Sequence, residues 1–234
     1  MTNSPGGSAA KFDANRAADY DRQSRIALAG YAAMHELAAC CLSAALGAGS
    51  ERRLLVVGVG TGQDVVVIAA LEPRWRFTAV DPSPAMIGQA EVRLAALGLL
   101  DRTTLHGGTV DGLPATLYDG ATMIGVLHHV RGDVAKLQLL RGIAARLKPG
   151  APFVLGGNVG VYADDRLLCE AWRARWRQHG AADEGEARFK RITADVDPPR
   201  SEAAQAELLA TAGFGAPKRF FGSLFWGGWI VTKA

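Results

Sequence analysis

The sequence predicts an α/β fold in which helices flank a mainly parallel β-sheet. The first observation is an uninterrupted apolar run at residues 54–57, which is typical of a strand buried on both faces. The second is its abrupt passage through three glycines into a helical pattern that begins at Asp64. The third is the repetition of this strand-then-helix order up to residue 156. Strands that alternate with helices favour a parallel sheet.

Length and composition are compatible with one domain. The 234 residues, 49% of them hydrophobic, are enough for a single domain with a large core. A net charge of +3 is too small to indicate a nucleic-acid partner. The three cysteines, Cys40, Cys41 and Cys169, lack metal-ligand spacing, so we expect reduced thiols, no metal site and a cytoplasmic protein.

The N-terminal region is expected to form a helical lid at residues 13–47, after a disordered segment at residues 1–12 that lacks the pattern of a signal peptide. Its periodicity predicts two helices, at 14–28 and 31–46. We expect no membrane span at 26–47, because His35 and Glu36 lie near its middle and would cost about 2–4 kcal/mol each in a bilayer. His35 is expected to have a structural role.

Three residues of the lid are candidates for contact with a cofactor or a substrate. These are Tyr20, Arg25 and Tyr31, which lie in helices that precede the first strand. Ordinary surface and core contacts are an equally good explanation of each of them.

A ligand site is predicted at the turn that follows the first strand. Gly58, Gly60 and Gly62 join that strand to the helix at Asp64, which brings bare backbone and a helix N-terminus against a ligand. Asp81 follows the next predicted strand, where a carboxylate can accept hydrogen bonds from both ribose hydroxyls. The pattern indicates a nucleoside-binding site.

The spacing of the glycines favours one kind of nucleoside site. A dinucleotide fingerprint has its last glycine at the sixth position, where this chain has Gln63. Gly-x-Gly-x-Gly at 58–62 resembles motif I of class I S-adenosylmethionine-dependent methyltransferases, and Val-Asp-Pro-Ser-Pro-Ala-Met at 80–86 resembles their second motif. The resemblance implies S-adenosyl-L-methionine as cofactor, with contacts from Tyr31, Gly58, Val59, Gly60, Asp81, Pro82 and Met86.

Residues 107–114 occupy the place where these methyltransferases hold the adenine. Thr109 stands at the family's usual carboxylate position, and Val110 follows it. Asp111 is the alternative adenine contact, and the sequence does not decide between Thr109 and Asp111.

The fourth predicted strand, at 118–125, is followed by Leu-His-His at 127–129. This run resembles the family's strand end beside the transferred methyl group. His128 is the candidate catalytic residue, as a base or as a group that orients the acceptor, and His129 is a candidate acceptor contact. The alternative is that both histidines cap the next helix, at 133–147, and pack locally. Leu-Lys-Pro-Gly at 147–150, before a fifth strand at 152–156, is a further family hallmark.

Residues 158–200 are expected to be an insert that covers the acceptor. It contains a predicted helix at 167–178 with Trp172 and Trp176 in the core, a looser stretch at 180–185 and a basic segment that includes Arg191. Ser201 is predicted to cap the next helix. A hairpin at 218–232 follows, and the aromatic residues at 220–229 are expected to pack at the far edge of the sheet. The alternative is that Trp172, Trp176, Trp226 and Trp229 form an aromatic pocket or face the sulfonium. The complete prediction is a Rossmann-like, seven-stranded mixed sheet of order 3-2-1-4-5-7-6.

The chain departs from the family pattern at Val56, two residues before the first glycine, where methyltransferases usually have Asp or Glu. The cofactor's amino acid end is therefore expected to depend on the backbone of residues 58–60 and on the N-terminal helices. Residues 25–31 and 225–231 resemble, more distantly, the carboxy-S-adenosylmethionine synthase branch. In that branch an arginine near the position of Arg191 binds the cofactor's extra carboxylate.

The residues and the resemblance together predict an S-adenosylmethionine-dependent methyltransferase that acts on a small molecule by in-line transfer. One alternative is a carboxy-S-adenosylmethionine synthase-like activity or a tRNA-linked one on the arginine-rich insert. Another is a non-catalytic protein that binds the cofactor. The acceptor atom, the substrate scaffold and the oligomeric state, a homodimer included, stay open.

Overall fold

The structure is a computed structural model that describes the backbone of residues 14–234 and their side chains except at 14–19, 182, 184, 188 and 191–193. The disorder expected at residues 1–12 lies outside the described residues. Within them, eight α-helices accompany one sheet. The helices are α1 (Ala14–Ala27), α2 (Tyr31–Leu46), α3 (Gln63–Leu71), α4 (Pro84–Ala96), α5 (Asp133–Ala144), α6 (Arg166–Gln178), α7 (Ala182–Asp195) and α8 (Glu202–Thr211).

The sheet has the predicted order. Its strands are β1 (Arg53–Val57), β2 (Arg76–Asp81), β3 (Thr103–Gly107), β4 (Gly120–Ile124), β5 (Pro152–Asn158), β6 (Lys218–Ser223) and β7 (Trp226–Thr232). They are arranged as β3-β2-β1-β4-β5-β7-β6. The first five strands are parallel, and β7 is antiparallel to both β5 and β6. The predicted Rossmann-like mixed sheet is confirmed.

Two layers of apolar side chains enclose the sheet. On one face, Leu54 and Val56 of β1 pack with α2, α3 and α4. On the other face, Leu55 and Val57 pack with α5 and α8. Both sides of β1 are therefore buried, which explains its unbroken apolar sequence.

The insert packs against the N-terminal helices. Trp172 and Trp176 of α6 are buried in a separate cluster with Tyr162 and Phe225, as predicted for the two tryptophans. Trp172 Nε1 donates a hydrogen bond to the carbonyl of Ala27, at the end of α1, over 2.8 Å. The insert and α1 therefore support each other beside the sheet.

One local prediction about the insert is wrong. Residues 182–185, expected to be loose, belong to α7. Gly185 lies against α6 so closely that a Cβ atom placed on it would be 2.5 Å from Trp176 Cβ. Tertiary packing that only glycine allows therefore outweighs the low helix propensity of this residue.

The N-terminal helices form a bent pair. Gly30 separates α1 from α2 with a φ of 80°, and the helices meet at 88°. In the part of the chain that the structure describes, no single helix is long and apolar enough to cross a membrane. The pair α1 and α2 reaches the necessary length and hydropathy only when the two helices are taken together.

Candidate active site

The predicted ligand site lies where the strand order reverses, between β1 and β4. Loops after the carboxyl ends of these strands leave a crevice there, the usual place for ligands in open α/β sheets. A cavity of about 110 Å³ lies in the crevice, beneath α1 and α2. Its walls include seven of the residues singled out from the sequence, namely Tyr20, Tyr31, Gly58, Val59, Gly60, His128 and His129.

The glycine turn is built so that only glycine suits its first position. Gly58 has a φ of 71°, and a Cβ atom there would lie 2.2 Å from Val126 Cγ2. The amides of Gly58 and Val59 both donate to the carbonyl of Val80, over 2.8 and 3.1 Å. These two amides are therefore engaged with β2 and are not available to a ligand.

Asp81 connects the end of β2 to the glycine turn. Its Oδ2 accepts a hydrogen bond from the Gly60 amide (3.0 Å) and its Oδ1 accepts one from the Ser83 amide (2.9 Å). Burial raises the pKa of the carboxyl above its ordinary value, and the two hydrogen bonds oppose that rise. Each oxygen keeps further acceptor capacity for a hydroxyl group. Asp81 lines a smaller pocket of about 60 Å³ with Pro82 and Met86, which adjoins the main cavity at Gly58 and Gly60.

His128 lies just past β4, in a short 3₁₀ turn. The Asn158 amide donates to its Nδ1 over 3.3 Å, which places the proton of the neutral ring on Nε2. Burial, with a smaller effect from His129, lowers the pKa of His128 well below its usual value. The ring is therefore neutral at pH 7 and serves as a hydrogen-bond donor through Nε2.

Two further polar groups of the cavity belong to Asn158, which the sequence analysis did not single out, and to Trp226, for which it left a pocket role open. Asn158 Oδ1 and Trp226 Nε1 are buried and have no hydrogen-bond partner among the described residues. They meet because Asn158 of β5 is paired with Trp226 of β7. The expectation that the hairpin aromatics pack at the far edge of the sheet is thus wrong for Trp226, whose ring contacts His128 edge-on at 5.2 Å between centroids.

A buried acid–base pair, also missed, completes one wall of the cavity. His35 Nδ1 of α2 lies 2.8 Å from Asp64 Oδ1 of α3, and the two side chains are 5% and 7% exposed. Thr122 Oγ1 donates to the other oxygen of Asp64 over 3.0 Å. His35, expected to be structural, is therefore part of the candidate site. The sequence signal that could have indicated this pair is Asp64, an acidic residue in the first turn of α3.

The N-terminal helices cover the glycine turn. Tyr20 lies above it, with its ring atom Cε1 3.9 Å from the position that a Cβ atom on Gly60 would take. The neighbouring Asp21 accepts hydrogen bonds from Thr61 (2.6 Å) and from Arg93 (3.0 Å). These contacts join α1 to the turn and to α4.

Four predicted site residues are not placed at either cavity. The guanidinium of Arg25 lies outside, 5.1 Å from the centroid of the Tyr31 ring. Thr109 is exposed at the start of a 3₁₀ turn, and Val110 is buried in the main core. The side chain of Arg191 lies outside the described residues. Their ligand contacts stay predictions.

The structure bears on the open choice for the adenine contact. A Cβ atom placed on Gly142 of α5 would lie 3.0 Å from Asp111 Oδ1, so the Asp111 side chain is directed at α5. This orientation favours Thr109 over Asp111. The described residues contain no cluster of three or more His, Cys, Asp or Glu side chains that could hold a metal ion.

Comparison with known proteins adds a family to this geometry. A family model of a methyltransferase domain matches residues 55–153, the range that contains the glycine turn, Asp81 and His128. The matched range, residues 55–153, is a methyltransferase domain, and its strand order and glycine turn agree with the class I methyltransferase superfamily. Members of this superfamily depend on S-adenosyl-L-methionine.

Individual relatives agree with that match. Demethylspheroidene O-methyltransferase from Cereibacter sphaeroides is 31% identical over 172 residues, which are 73% of this chain and 41% of the relative. The chain thus spans about two fifths of that protein. Among solved structures, a Methanococcus maripaludis protein assigned to the S-adenosyl-L-methionine-dependent methyltransferases has a TM-score of 0.66 at 21% identity, over 100% of this chain and 96% of that one. The mitomycin 7-O-methyltransferase MmcR has a TM-score of 0.63 at 18% identity, over 86% and 53%.

The residues at the methyltransferase site fit the cofactor. The glycine turn admits close approach of a ligand, Asp81 can accept from ribose hydroxyls, and the unpartnered groups of Asn158 and Trp226 call for polar partners in the cavity. The cavities of about 110 and 60 Å³ are smaller than the roughly 300–1,000 Å³ of typical ligand sites. Tyr20 of α1 covers the glycine turn where the two cavities adjoin.

Proposed function

We propose that this methyltransferase transfers the methyl group of S-adenosyl-L-methionine to an oxygen atom of a small organic molecule. The name of its curated relative, a demethylspheroidene O-methyltransferase, supports an oxygen acceptor. So do the names of two solved structures of the same fold, a mitomycin 7-O-methyltransferase and an O-methyltransferase family 2 protein in complex with apigenin.

The observation on which the proposal depends is the state of His128. Its Nδ1 accepts the Asn158 amide, so Nε2 carries the proton and can donate to an acceptor oxygen in the cavity. A ring in this state, with a pKa well below the usual value, is a poor base. His128 therefore orients the acceptor oxygen, which is one of the two roles predicted for it.

When bound, the cofactor supplies an electrophilic methyl group on a sulfonium. The hydroxyl proton of the acceptor passes to solvent, the acceptor oxygen bonds to the methyl carbon as the carbon–sulfur bond breaks, and S-adenosylhomocysteine leaves. Transfer needs the acceptor oxygen aligned behind that methyl, and alignment of two bound partners can contribute about 7–11 kcal/mol to the rate. His128 at the end of β4 and the glycine turn at the end of β1 face the same cavity, which provides this alignment.

The walls of the cavity indicate the shape of the acceptor. Trp172, Trp226 and Tyr31 present aromatic surfaces, and Met34 adds an apolar one. On the side of the cavity formed by the ends of β4, β5 and β7, the polar groups are the His128 ring, Nε1 of Trp226 and Oδ1 of Asn158. A planar, largely apolar molecule with one hydroxyl group suits these walls.

The test is incubation of the purified protein with S-adenosyl-L-methionine and a panel of phenols, enols, amines and thiols. Mass spectrometry follows S-adenosylhomocysteine and the methylated product. Turnover of a hydroxyl compound, lost in a His128→Leu variant that still binds the cofactor, supports the proposal. Methylation of amines or thiols alone would overturn the oxygen acceptor. Cofactor binding without turnover of any compound, tRNA included, would favour the non-catalytic alternative.

A further inference from the structure

We propose that Asp64, which lies beside His35, binds the α-ammonium group at the amino-acid end of the cofactor. Asp64 thereby takes the place of the acidic residue that the chain lacks at Val56. This inference rests on the identity of the cofactor and not on the class of acceptor.

The glycine turn leaves the amino-acid end short of partners. Val56 is fully buried among the apolar residues between the sheet and α2–α4, so this position offers no charge. The amides of Gly58 and Val59 donate to Val80, and the amide of Gly60 donates to Asp81. All three amides that were expected to hold the amino-acid end are therefore engaged within the protein.

Asp64 has the charge and the burial that an ammonium group requires. Its carboxylate is 6% exposed, and the described residues provide it with one hydroxyl donor, Thr122, and one basic neighbour, His35. A buried carboxylate is stable only when its charge is compensated and its oxygens are hydrogen-bonded. A cationic ligand group in the cavity would meet both needs.

His35 shows an unmet hydrogen-bonding group at the same wall. Its Nδ1 lies 2.8 Å from Asp64 Oδ1 without the geometry of a hydrogen bond, and Nε2 is buried and has no partner among the described residues. The Tyr31 ring covers the imidazole at 4.6 Å between centroids. Buried polar atoms without a partner are rare in native proteins, so this one indicates a polar group of a ligand in the cavity.

The groups lie along the crevice in the order of the parts of the cofactor. Asp81, the candidate ribose residue, lines the smaller pocket, and Asp64 and His35 line the main cavity. Gly58 and Gly60 border both. A ligand whose sugar contacts Asp81 therefore extends past the glycine turn and reaches Asp64 with its other end.

Calorimetry with three ligands tests this assignment. S-adenosylhomocysteine has the complete amino-acid end, 5′-deoxy-5′-(3-carboxypropylthio)adenosine lacks only the amino group, and 5′-methylthioadenosine lacks the whole end. For the unaltered protein we expect at least tenfold weaker binding of the ligand without the amino group. In Asp64→Asn the preference for the ligand with the amino group should vanish. The affinity for S-adenosylhomocysteine should fall at least tenfold, while the affinity for 5′-methylthioadenosine should change less than twofold.

Two variants complete the design. Asp133→Asn makes the same change in the first turn of α5, at an exposed residue away from both cavities, and should alter no affinity. His35→Gln should lower the affinity for S-adenosylhomocysteine at least threefold and leave the affinity for 5′-methylthioadenosine unchanged. This variant keeps the test valid if Asp64→Asn does not fold.

Two outcomes would overturn the assignment. One is equal binding of the ligands with and without the amino group by the unaltered protein. The other is an equal loss of S-adenosylhomocysteine and 5′-methylthioadenosine in the variants, since Asp64 and His35 would then merely support the glycine turn. Absence of methyl transfer together with the expected ligand preferences would overturn the proposed function alone.

Discussion

The Gly60 amide donates a hydrogen bond to Asp81 Oδ2 over 3.0 Å. The residue expected to bind the ribose is therefore also the residue that fixes the middle of the glycine turn to the end of β2. Since the Ser83 amide donates to the other oxygen, both carboxylate oxygens of Asp81 accept hydrogen bonds from the backbone. The shape of the glycine turn and the recognition of the ribose thus both depend on the Asp81 side chain.

Replacement of Asp81 should therefore weaken cofactor binding in two ways, through the loss of a ribose contact and through a change in the glycine turn. In Asp81→Asn one of the two acceptor oxygens becomes an amide that cannot accept from backbone, so either Gly60 or Ser83 loses its partner. We expect S-adenosylhomocysteine to bind at least tenfold more weakly by calorimetry. Asp101→Asn, at an exposed position before β3, is the matched control. Unchanged affinity in Asp81→Asn would contradict the assignment of the ribose site.

The glycine turn should tolerate no side chain at its first position. Gly58→Ala forces a Cβ atom to 2.2 Å from Val126 Cγ2 and keeps a φ of 71°, which by itself costs about 1–2 kcal/mol. We expect a lower thermal midpoint and loss of S-adenosylhomocysteine binding. Gly88→Ala in α4, where a Cβ atom meets nothing within 4 Å, should instead stabilise the protein by up to about 1 kcal/mol. A Gly58→Ala variant as stable as Gly88→Ala would show that the turn differs from this geometry.

Local sequence patterns were sufficient to predict the sheet and the turn. The apolar run of β1, the glycines after it and Asp81 after β2 are short-range signals, and their spacing places them at one edge of a parallel sheet. The strand order followed from these elements and from the family resemblance, and the structure confirms it.

The missed residues of the site depend on long-range packing. His35 reaches Asp64 only because α2 packs on α3, and Asn158 meets Trp226 only through the register of β5 with β7. Neither relationship leaves a periodic signal in the sequence. An apolar helix with one histidine is more often core, which is why His35 was expected to be structural.

The role of His128 predicts a difference between two of its variants. His128→Gln keeps an N–H donor at similar reach, whereas His128→Leu removes it. A hydrogen bond to a charged group is worth about 1.5–3 kcal/mol, and Nε2–H of His128 favours the oxyanion form of the acceptor and holds it in line. We therefore expect kcat to fall about 10–100-fold in His128→Leu and less than tenfold in His128→Gln. Steady-state kinetics with an acceptor from the panel gives the measurement.

A base role of His128 would give a different pattern. Both variants would then lose kcat equally, by about 10²–10⁴-fold. The pH profile separates the roles as well: because burial lowers the pKa of His128 well below 6.5, its protonation should produce no change in kcat between pH 6 and 9. His179→Gln, at the exposed end of α6, is the control.

The contacts of Asp21 predict how the cofactor enters. Asp21 accepts from Thr61 and from Arg93, and so joins α1 to the turn and to α4. Asp21→Ala should free α1, so that S-adenosylhomocysteine both associates and dissociates faster in stopped-flow experiments and trypsin cleaves α1 earlier. Glu36→Ala, exposed on α2, should change neither rate. Unchanged rates in Asp21→Ala would show that α1 does not control entry.

A buried ion pair beneath the His128 turn predicts an asymmetric response to mutation. Lys136 of α5 is 1% exposed, and its Nζ lies 2.6 Å from Oδ2 of Asp197, which is 47% exposed. Asp197→Ala leaves a buried ammonium whose remaining acidic neighbour, Asp133, is 3.7 Å away and mostly in solvent. Because Asp197 itself is half exposed, the loss should be about 1–3 kcal/mol, less than for a fully buried pair. Lys136→Met removes the buried charge and should cost less, and the double variant should recover part of the loss. Urea unfolding measures all three.

The pH dependence of the same pair follows from the pKa of Asp197. Burial alone raises this pKa, but hydrogen bonds from Lys136 and from the Gly132 amide outweigh it and hold the pKa below its usual value of about 3.9. A carboxyl whose folded-state pKa is lowered stabilises the fold above its unfolded-state pKa and loses that contribution as the pH falls through the folded-state value. The difference in unfolding free energy between the unaltered protein and Asp197→Ala should therefore be full at pH 7 and shrink below about pH 4. A difference that stays constant from pH 7 to pH 3 would show that the two side chains do not interact as charges, and the Asp197 amide, which donates to the His128 carbonyl over 2.7 Å, would then be the main link between the insert and the His128 turn.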